Sequence, residues 1–215
     1  MIQKEKINQG FVALFEGNLS LVKNIITDLT YNLNQDSPLY FSFLNLKGYS
    51  FFENSQYEQA MKIYEEYVNL AKQKEDLDNL HIGLHQLAMV YREKEEYKNA
   101  LDLINQEYKI IIDNFPEDSL KNSINLYEQG YLHLKFNQYK KALLLLEESL
   151  KFAVESDDLI SIACSYRALG ETYASLSNEE KVVQNYKSSI EYFEQADDEI
   201  GKKEVEKMLK ELKEN

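Results

Sequence analysis

The sequence predicts an all-helical solenoid of five helix-turn-helix repeats closed by a terminal capping helix, and three observations carry that expectation. The first is a recurring spacing. Gly130, His133, Tyr139, Ala142 and Leu146 reappear as Gly48, Phe51, Tyr57, Ala60 and Tyr64, and again as Ala88, Tyr91, Tyr97, Ala100 and Ile104. A further copy reads Gly170, Tyr173, Glu179, Val182 and Tyr186, and a worn one Gly10, Ala13, Leu19, Val22 and Ile26. The step from small residue to small residue is 12 each time, and the five anchors lie 38, 40, 42 and 40 residues apart. Self-similarity at such a period is the signature of stacked repeats. The second observation is apolar residues recurring at helical spacing between breaks. The third is composition: 44% hydrophobic residues with only 7 Gly and 2 Pro in 215 make a folded helical chain, not a linker.

Each element follows in order. Ile7, Phe11, Leu14 and Phe15 mark the first helix, and Gly17-Asn18 breaks it. Leu21, Ile25, Ile26 and Leu29 share a face of the second. Ser37-Pro38 has the chemistry of a helix start, because serine accepts free amides and proline fits the first helical position. The second hairpin runs through Phe43, Leu46 and Phe51, and Ser55 with Glu58 is expected to form a capping box. Gly48 and Ala60 are expected to be the close-approach positions of that hairpin, with Tyr57, Tyr64 and Phe51 filling the space around them.

The third hairpin pairs Leu84, Leu87 and Tyr91 with Tyr97, Ala100, Leu101 and Ile104. Its second helix continues through Ile110, Ile111 and Ile112 until Asn114-Phe115-Pro116 stops it. The fourth carries Leu126, Tyr131 and Leu134, then Leu143 to Leu146 and Leu150. The loop 155–158 leads to the fifth, where Ser177 and Glu180 suggest a second capping box. From Asp198 a last helix bears Ile200, Val205, Met208, Leu209 and Leu212 on one stripe, a cover for the final apolar face. The repeats fall at about 3–36, 37–77, 78–116, 117–157 and 158–196, with the cap at 197–213. The whole of 1–215 is expected to be one domain.

Charge and cysteine usage exclude several classes. A net charge of −13 repels phosphate backbones, so direct nucleic-acid binding is not expected. The single Cys164 suits a reducing compartment, and MIQKEKINQG has no apolar core of signal-peptide length. No run approaches a membrane span, so the expectation is a soluble cytoplasmic protein. No Gly-rich phosphate loop, nucleophile elbow or dinucleotide fingerprint occurs, so no cofactor and no enzymatic activity are expected.

The spacing of small residue, aromatic, Tyr, Ala and aromatic resembles the tetratricopeptide repeat over about residues 3–195, most fully in the middle three copies. The resemblance implies a right-handed superhelix that binds a protein or peptide. The period exceeds the usual one, as in the repeats of kinesin light chains and of Gram-positive receptors for signalling peptides. A Lys-, Asn-, Ile- and Tyr-rich usage of low-GC bacterial type favours the second comparison. Those receptors carry an effector domain ahead of their repeats. Here the first repeat starts by Gln3, so a stand-alone relative acting as a switch on a partner is the alternative expectation.

In such arrays the first helix of each repeat lines the concave surface. Inward positions are then Asn45, Tyr49 and Phe52; His85, Met89 and Arg92; Tyr127, Tyr131 and Leu134; and Arg167, Glu171 and Ala174. Rings cover apolar side chains and amides pair with a peptide backbone. The proposed ligand-binding set is Asn45, Tyr49, His85, Met89, Arg92, Tyr127, Tyr131, Arg167 and Glu171, and packing between repeats is the competing explanation for each. Arg92 and Arg167 are the only arginines, and a planar fork suits carboxylate capture. Internal ion pairs, Arg92 with Glu96 and Arg167 with Glu171, are the alternative. His81 and His85 share a face, but without a third ligand they read as a structural pair, with no metal. Cys164 reads as a small buried hydrophobe. A chaperone-type clamp fits poorly, since Tyr49, His85 and Met89 occupy positions where it needs Lys and Asn.

Overall fold

The computed structural model describes residues 2–214, and among them it contains eleven α-helices and no strand. The helices are α1 (Ile2–Phe15), α2 (Leu19–Asn32), α3 (Tyr40–Glu53), α4 (Tyr57–Gln73), α5 (Leu77–Glu93) and α6 (Tyr97–Asn114). They continue as α7 (Ser119–Lys135), α8 (Tyr139–Glu155), α9 (Leu159–Ser175), α10 (Glu179–Gln195) and α11 (Glu199–Glu214). Residues 1–103 and 104–215 form two compact units.

One connector is used again and again. The residue two past a helix end adopts a left-handed backbone at Gly17, Ser55, Glu75, Glu95, Asn137, Asp157, Ser177 and Asp197. After α3, Ser55 N–H donates to Phe52 O at 2.8 Å and Gln56 N–H to Phe51 O at 2.9 Å. That pair of bonds closes the free carbonyls of the helix end, as a Schellman turn does. The next residue then starts the following helix. Both expected capping boxes are therefore corrected. Ser55 and Ser177 belong to the end of the preceding helix, and Gln56 and Asn178 are the N-caps. Only Asn178 caps with its side chain, accepting from Lys181 N–H at 3.2 Å. Ser37-Pro38 likewise precedes α3 by a turn, with Ser37 Oγ accepting from Leu39 N–H at 3.2 Å.

In the first unit Ile7, Ile25, Leu29, Phe41, Phe43, Leu46, Ile63 and Tyr67 form one core, and Ala60, Tyr64, Leu87 and Val90 the next. Gly48 is a close-approach position, but what fills it is the ring of Tyr64. A Cβ there would stand 2.7 Å from Tyr64 Cζ. Phe15, expected inside, is 89% exposed: it is the last residue of α1, whose buried residues are Ile7, Gly10, Ala13 and Leu14.

In the second unit Leu146, Ala168 and Leu169 pack with Tyr127, Leu143 and Leu150. Gly130 lies against Leu146, whose Cγ would be 2.6 Å from an added Cβ. Leu144 and Ile112 face outward, since a run of four or three aliphatics cannot all lie on one helix face. Helix α11 covers the end of the stack with Val205, Met208, Leu209 and Leu212 against Val182, Tyr186 and Phe193, whereas Ile200 is exposed.

Candidate functional site

The second unit assembles the densest group of expected site residues. Leu120, Ile124, Tyr127 and Tyr131 follow one another at steps of four, three and four along α7, so they form a single stripe. Ile160, Cys164, Arg167 and Glu171 do the same on α9, and the two helices pack side by side. The stripes are apolar toward the helix starts and polar toward the ends.

At the polar end Tyr127 and Tyr131 stack, with ring centroids 6.2 Å apart and planes at 16°. Arg167 Nη2 donates to the Tyr127 hydroxyl at 3.2 Å, and Nη1 donates to Glu204 Oε2 on α11 at 3.3 Å. Arg167 Nε stands 3.9 Å from Glu171 Oε1, close enough for charge attraction but beyond a hydrogen bond. Lys135 Nζ sits 4.7 Å from the Tyr131 ring centre, a cation–π contact. Burial raises the pKa of the Glu171 carboxyl, against the pull of Arg167 and Lys135. Burial also raises that of the Tyr127 hydroxyl, while Arg167 opposes it. One guanidinium thus ties α7, α9 and α11 together.

At the apolar end lies a groove of about 350 Å³ lined by Leu120, Ser123, Ile124, Tyr127, Asp158, Ile160, Ser161 and Cys164. Burial pushes the Cys164 thiol up, the opposite of what a nucleophile needs.

The first unit holds the rest. Asn45 is half-buried and its Oδ1 accepts from the Tyr64 hydroxyl at 3.4 Å, so one lone pair of the amide is spoken for. Tyr49 is 39% exposed and stacks on Phe52 at 6.2 Å. Its hydroxyl is pushed up to about 12, by burial first and then by its hydrogen bond to Glu53. His85 and Met89 are half-buried on α5. Arg92 pairs with Glu93 at 3.3 Å rather than with Glu96. Glu96 instead takes Lys94 at 3.0 Å, which also reaches Glu58 at 2.8 Å, because the connector carries Glu96 off the α5 axis. Among the described residues no group of three or more His, Cys, Asp or Glu could hold a metal, and no helix is long and apolar enough to cross a membrane.

Sequence reasoning missed Glu204, the apolar groove and a buried polar row. Ser149 Oγ donates to Ser123 O at 2.9 Å and lies 3.0 Å from Ser165 Oγ, joining α7, α8 and α9. Asn125, fully buried, donates to Ile104 O at 3.0 Å and Glu107 Oε2 at 2.9 Å. The repeat offset was the usable signal for the groove: carrying the stripe of Tyr127 and Tyr131 back toward the start of α7 leads to Ile124 and Leu120.

Comparison with known proteins agrees with this fold. Residues 79–155 match the family model described as tetratricopeptide repeat, and residues 20–94 match that of anaphase-promoting complex subunit 5. A curated relative, the RxLR effector protein SFI4 of Phytophthora infestans (strain T30-4), is 26% identical over 156 residues. That match covers 66% of this chain and 45% of the relative, so the chain spans about half the length of the curated protein it matches. Among solved structures, the tetratricopeptide-repeat sensor STAND protein PH0952 of Pyrococcus horikoshii superposes with a TM-score of 0.76 at 18% identity, over 93% of this chain and 31% of that one. The TPR-like repeats of a kinesin light chain from Podosopora anserina give 0.67 at 13% identity, over 90% and 95%. A Rap protein complexed with Competence and Sporulation Factor gives 0.65 at 15% identity, over 90% and 66%. The fold is that of tetratricopeptide-repeat helical hairpins.

Proposed function

We propose that this tetratricopeptide-repeat fold serves as a non-enzymatic scaffold that holds a protein or peptide segment against its first helices. One observation carries the reading. The stripes of α7 and α9 set an open apolar groove next to stacked tyrosine rings and a planar cation, so one face offers both apolar and polar contacts to a partner segment. That combination suits an extended peptide, with rings and aliphatics for side chains and polar groups for the backbone and its charges. The net charge of −13 points to a protein or peptide partner and away from nucleic acid. The single cysteine suits work in the cytoplasm.

A second reading has its own support. The likeness to a Rap protein complexed with Competence and Sporulation Factor, together with a groove of side-chain size, fits a short signalling peptide that switches a partner's binding. Affinity capture from the native cell with the full chain tests the first reading. Arg167→Ala should keep the helical content and weaken capture by roughly 1.5–3 kcal/mol, the loss of one charge-assisted hydrogen bond. Undiminished capture by that variant moves the working surface away from the first helices. Capture that changes when a short peptide is added favours the switch.

A further inference from the structure

A polar cavity in the first unit belongs mainly to a second helix, α4. Successive helices are mostly joined by three residues, as at 54–56, 74–76 and 94–96, but α2 and α3 are joined by residues 33–39. Extra length in a repeat array collects in a loop on one face, often a face used for binding. Here Gln35 of that connector, Tyr40 at the start of α3 and a stripe of α4 border a cavity of about 460 Å³. That volume lies in the range of ligand sites.

The walls are tied together before any ligand arrives. The hydroxyl of Tyr40, a residue 8% exposed, donates to Glu66 Oε1 at 2.8 Å and accepts from Gln35 Nε2 at 3.4 Å. Lys74 Nζ donates to Gln35 O at 3.4 Å, which fastens the connector to the end of α4. Along α4, Lys62, Glu66, Asn69 and Gln73 follow at steps of four, three and four, with Glu65 beside them. The lining is therefore rich in acceptors. Two carboxylates and the side-chain carbonyls of Gln35, Asn69 and Gln73 are set against one ammonium, Lys62. Among the described residues, Glu65, Asn69 and Gln73 make no side-chain hydrogen bond or ion pair, so those acceptors remain open.

A matching ligand is cationic and supplies many donors. A guanidinium has five N–H donors in one plane and no acceptor, and two of them pair with a carboxylate. An ammonium has only three, on a point charge. Leu70, also in the lining, offers an aliphatic stem a surface. The net charge of −13 draws basic partners. We propose that the cavity between connector 33–39 and α4 seats the guanidinium of an arginine carried by a protein partner. Glu65 and Glu66 pair its charge, and the carbonyls of Asn69 and Gln73 accept its remaining N–H groups.

The test titrates the full chain with the capped tripeptide acetyl-Asn-Arg-Asn-amide while amide NMR spectra are recorded. The side-chain amide signals of Gln35, Asn69 and Gln73 should move together and saturate. The citrulline tripeptide, neutral and of the same shape, should bind roughly ten-fold or more weakly, since a charge-assisted hydrogen bond is worth about a decade of affinity. The lysine tripeptide, which lacks the fork, and methylguanidine, which lacks the stem, should each bind several-fold more weakly. Glu66→Gln should weaken the arginine peptide roughly ten-fold at an unchanged melting temperature. Lys62→Gln should tighten it a few-fold, and a general change in folding would not give opposite signs. If Glu66→Gln destabilises the protein, Glu65→Gln and the arginine–citrulline pair decide the matter. Arg167→Ala should leave the titration unchanged.

Equal binding of the arginine and citrulline peptides overturns the inference, as do shifts that miss the three amides or a Lys62→Gln variant that binds more weakly. Methylguanidine binding as tightly as the peptide overturns the partner-borne source. Failure of this titration leaves capture through the first helices standing, and undiminished capture by Arg167→Ala leaves this site standing.

Discussion

Asp76, Asp118, Asp158 and Asp198 each stand one residue before a first helix or the last one, and each carboxylate accepts from the first helical turn. The bonds run from Asn79 N–H at 3.0 Å, Lys121 N–H at 3.0 Å, Ser161 N–H at 2.8 Å and Gly201 N–H at 2.9 Å. They satisfy amides that have no partner within the helix and place a negative charge at its positive end. Asp158→Ala should cost about 1 kcal/mol of unfolding free energy, within the usual range for losing a cap. Chemical denaturation that finds no change would mean water caps α9 equally well. Gly130 argues from the opposite direction, through space. A leucine there must displace Leu146, whose Cγ would stand 2.6 Å from the added Cβ, and Gly130→Leu should cost about 1–3 kcal/mol or more. An unchanged melting temperature would break the assigned register.

Among the elements, the connectors carry a cost written into the sequence. Seven of them place a residue other than glycine in the left-handed region. For an ordinary side chain that conformation is roughly 1–2 kcal/mol uphill, less for Asn and Asp. Glu95 at φ 60° is such a case, and Glu95→Gly should stabilise by up to about 1 kcal/mol once glycine's greater freedom in the unfolded chain is subtracted. For a chain this long the melting temperature should rise by about 2–4 °C. Asn137→Gly, at φ 58°, should change it little. Equal gains at both positions would show that side-chain type does not govern the strain. The connectors also explain why the capping boxes misled. A serine ahead of a glutamate satisfies the local pattern of a helix start, but three-residue spacing between helices already assigns that serine to the end of the one before.

Across the molecule, 16 tyrosines make alkaline pH the telling axis. Tyr49 and Tyr186 are pushed up to about 12, by burial first, and Tyr64 and Tyr67 are raised by the same cause. Unfolded tyrosines ionise near 10, so the unfolded state releases protons first and gains on the native one as pH rises. The stability these residues lend is whole below pH 10 and lost as pH climbs through about 12. Tyrosinate absorbance and loss of helical circular dichroism should therefore rise together, whereas ionisation well before unfolding would mean the rings are not buried in solution.

How much was legible follows from the range of each interaction. Helix existence, the breaks and the positions of Gly48, Ala60, Gly130 and Ala142 were readable, because they depend on periodicity and on side chains too small to be anything but contact points. Arg167 and Glu171 were readable as neighbours one turn apart on the same helix. The fork's other partners, Tyr127 and Glu204, are 40 and 37 residues away, and only packing brings them to it. The same holds for the serine row linking Ser123, Ser149 and Ser165, which are unremarkable on their own helices and fully buried where three helices meet. The sequence by itself determined that this chain is helical, repeated and built on small-residue contacts, since those properties are local and recur. Tertiary structure alone decided which aliphatics stay open as a groove and which carboxylate reaches the arginine, since both depend on distances between helices that no spacing along one helix encodes.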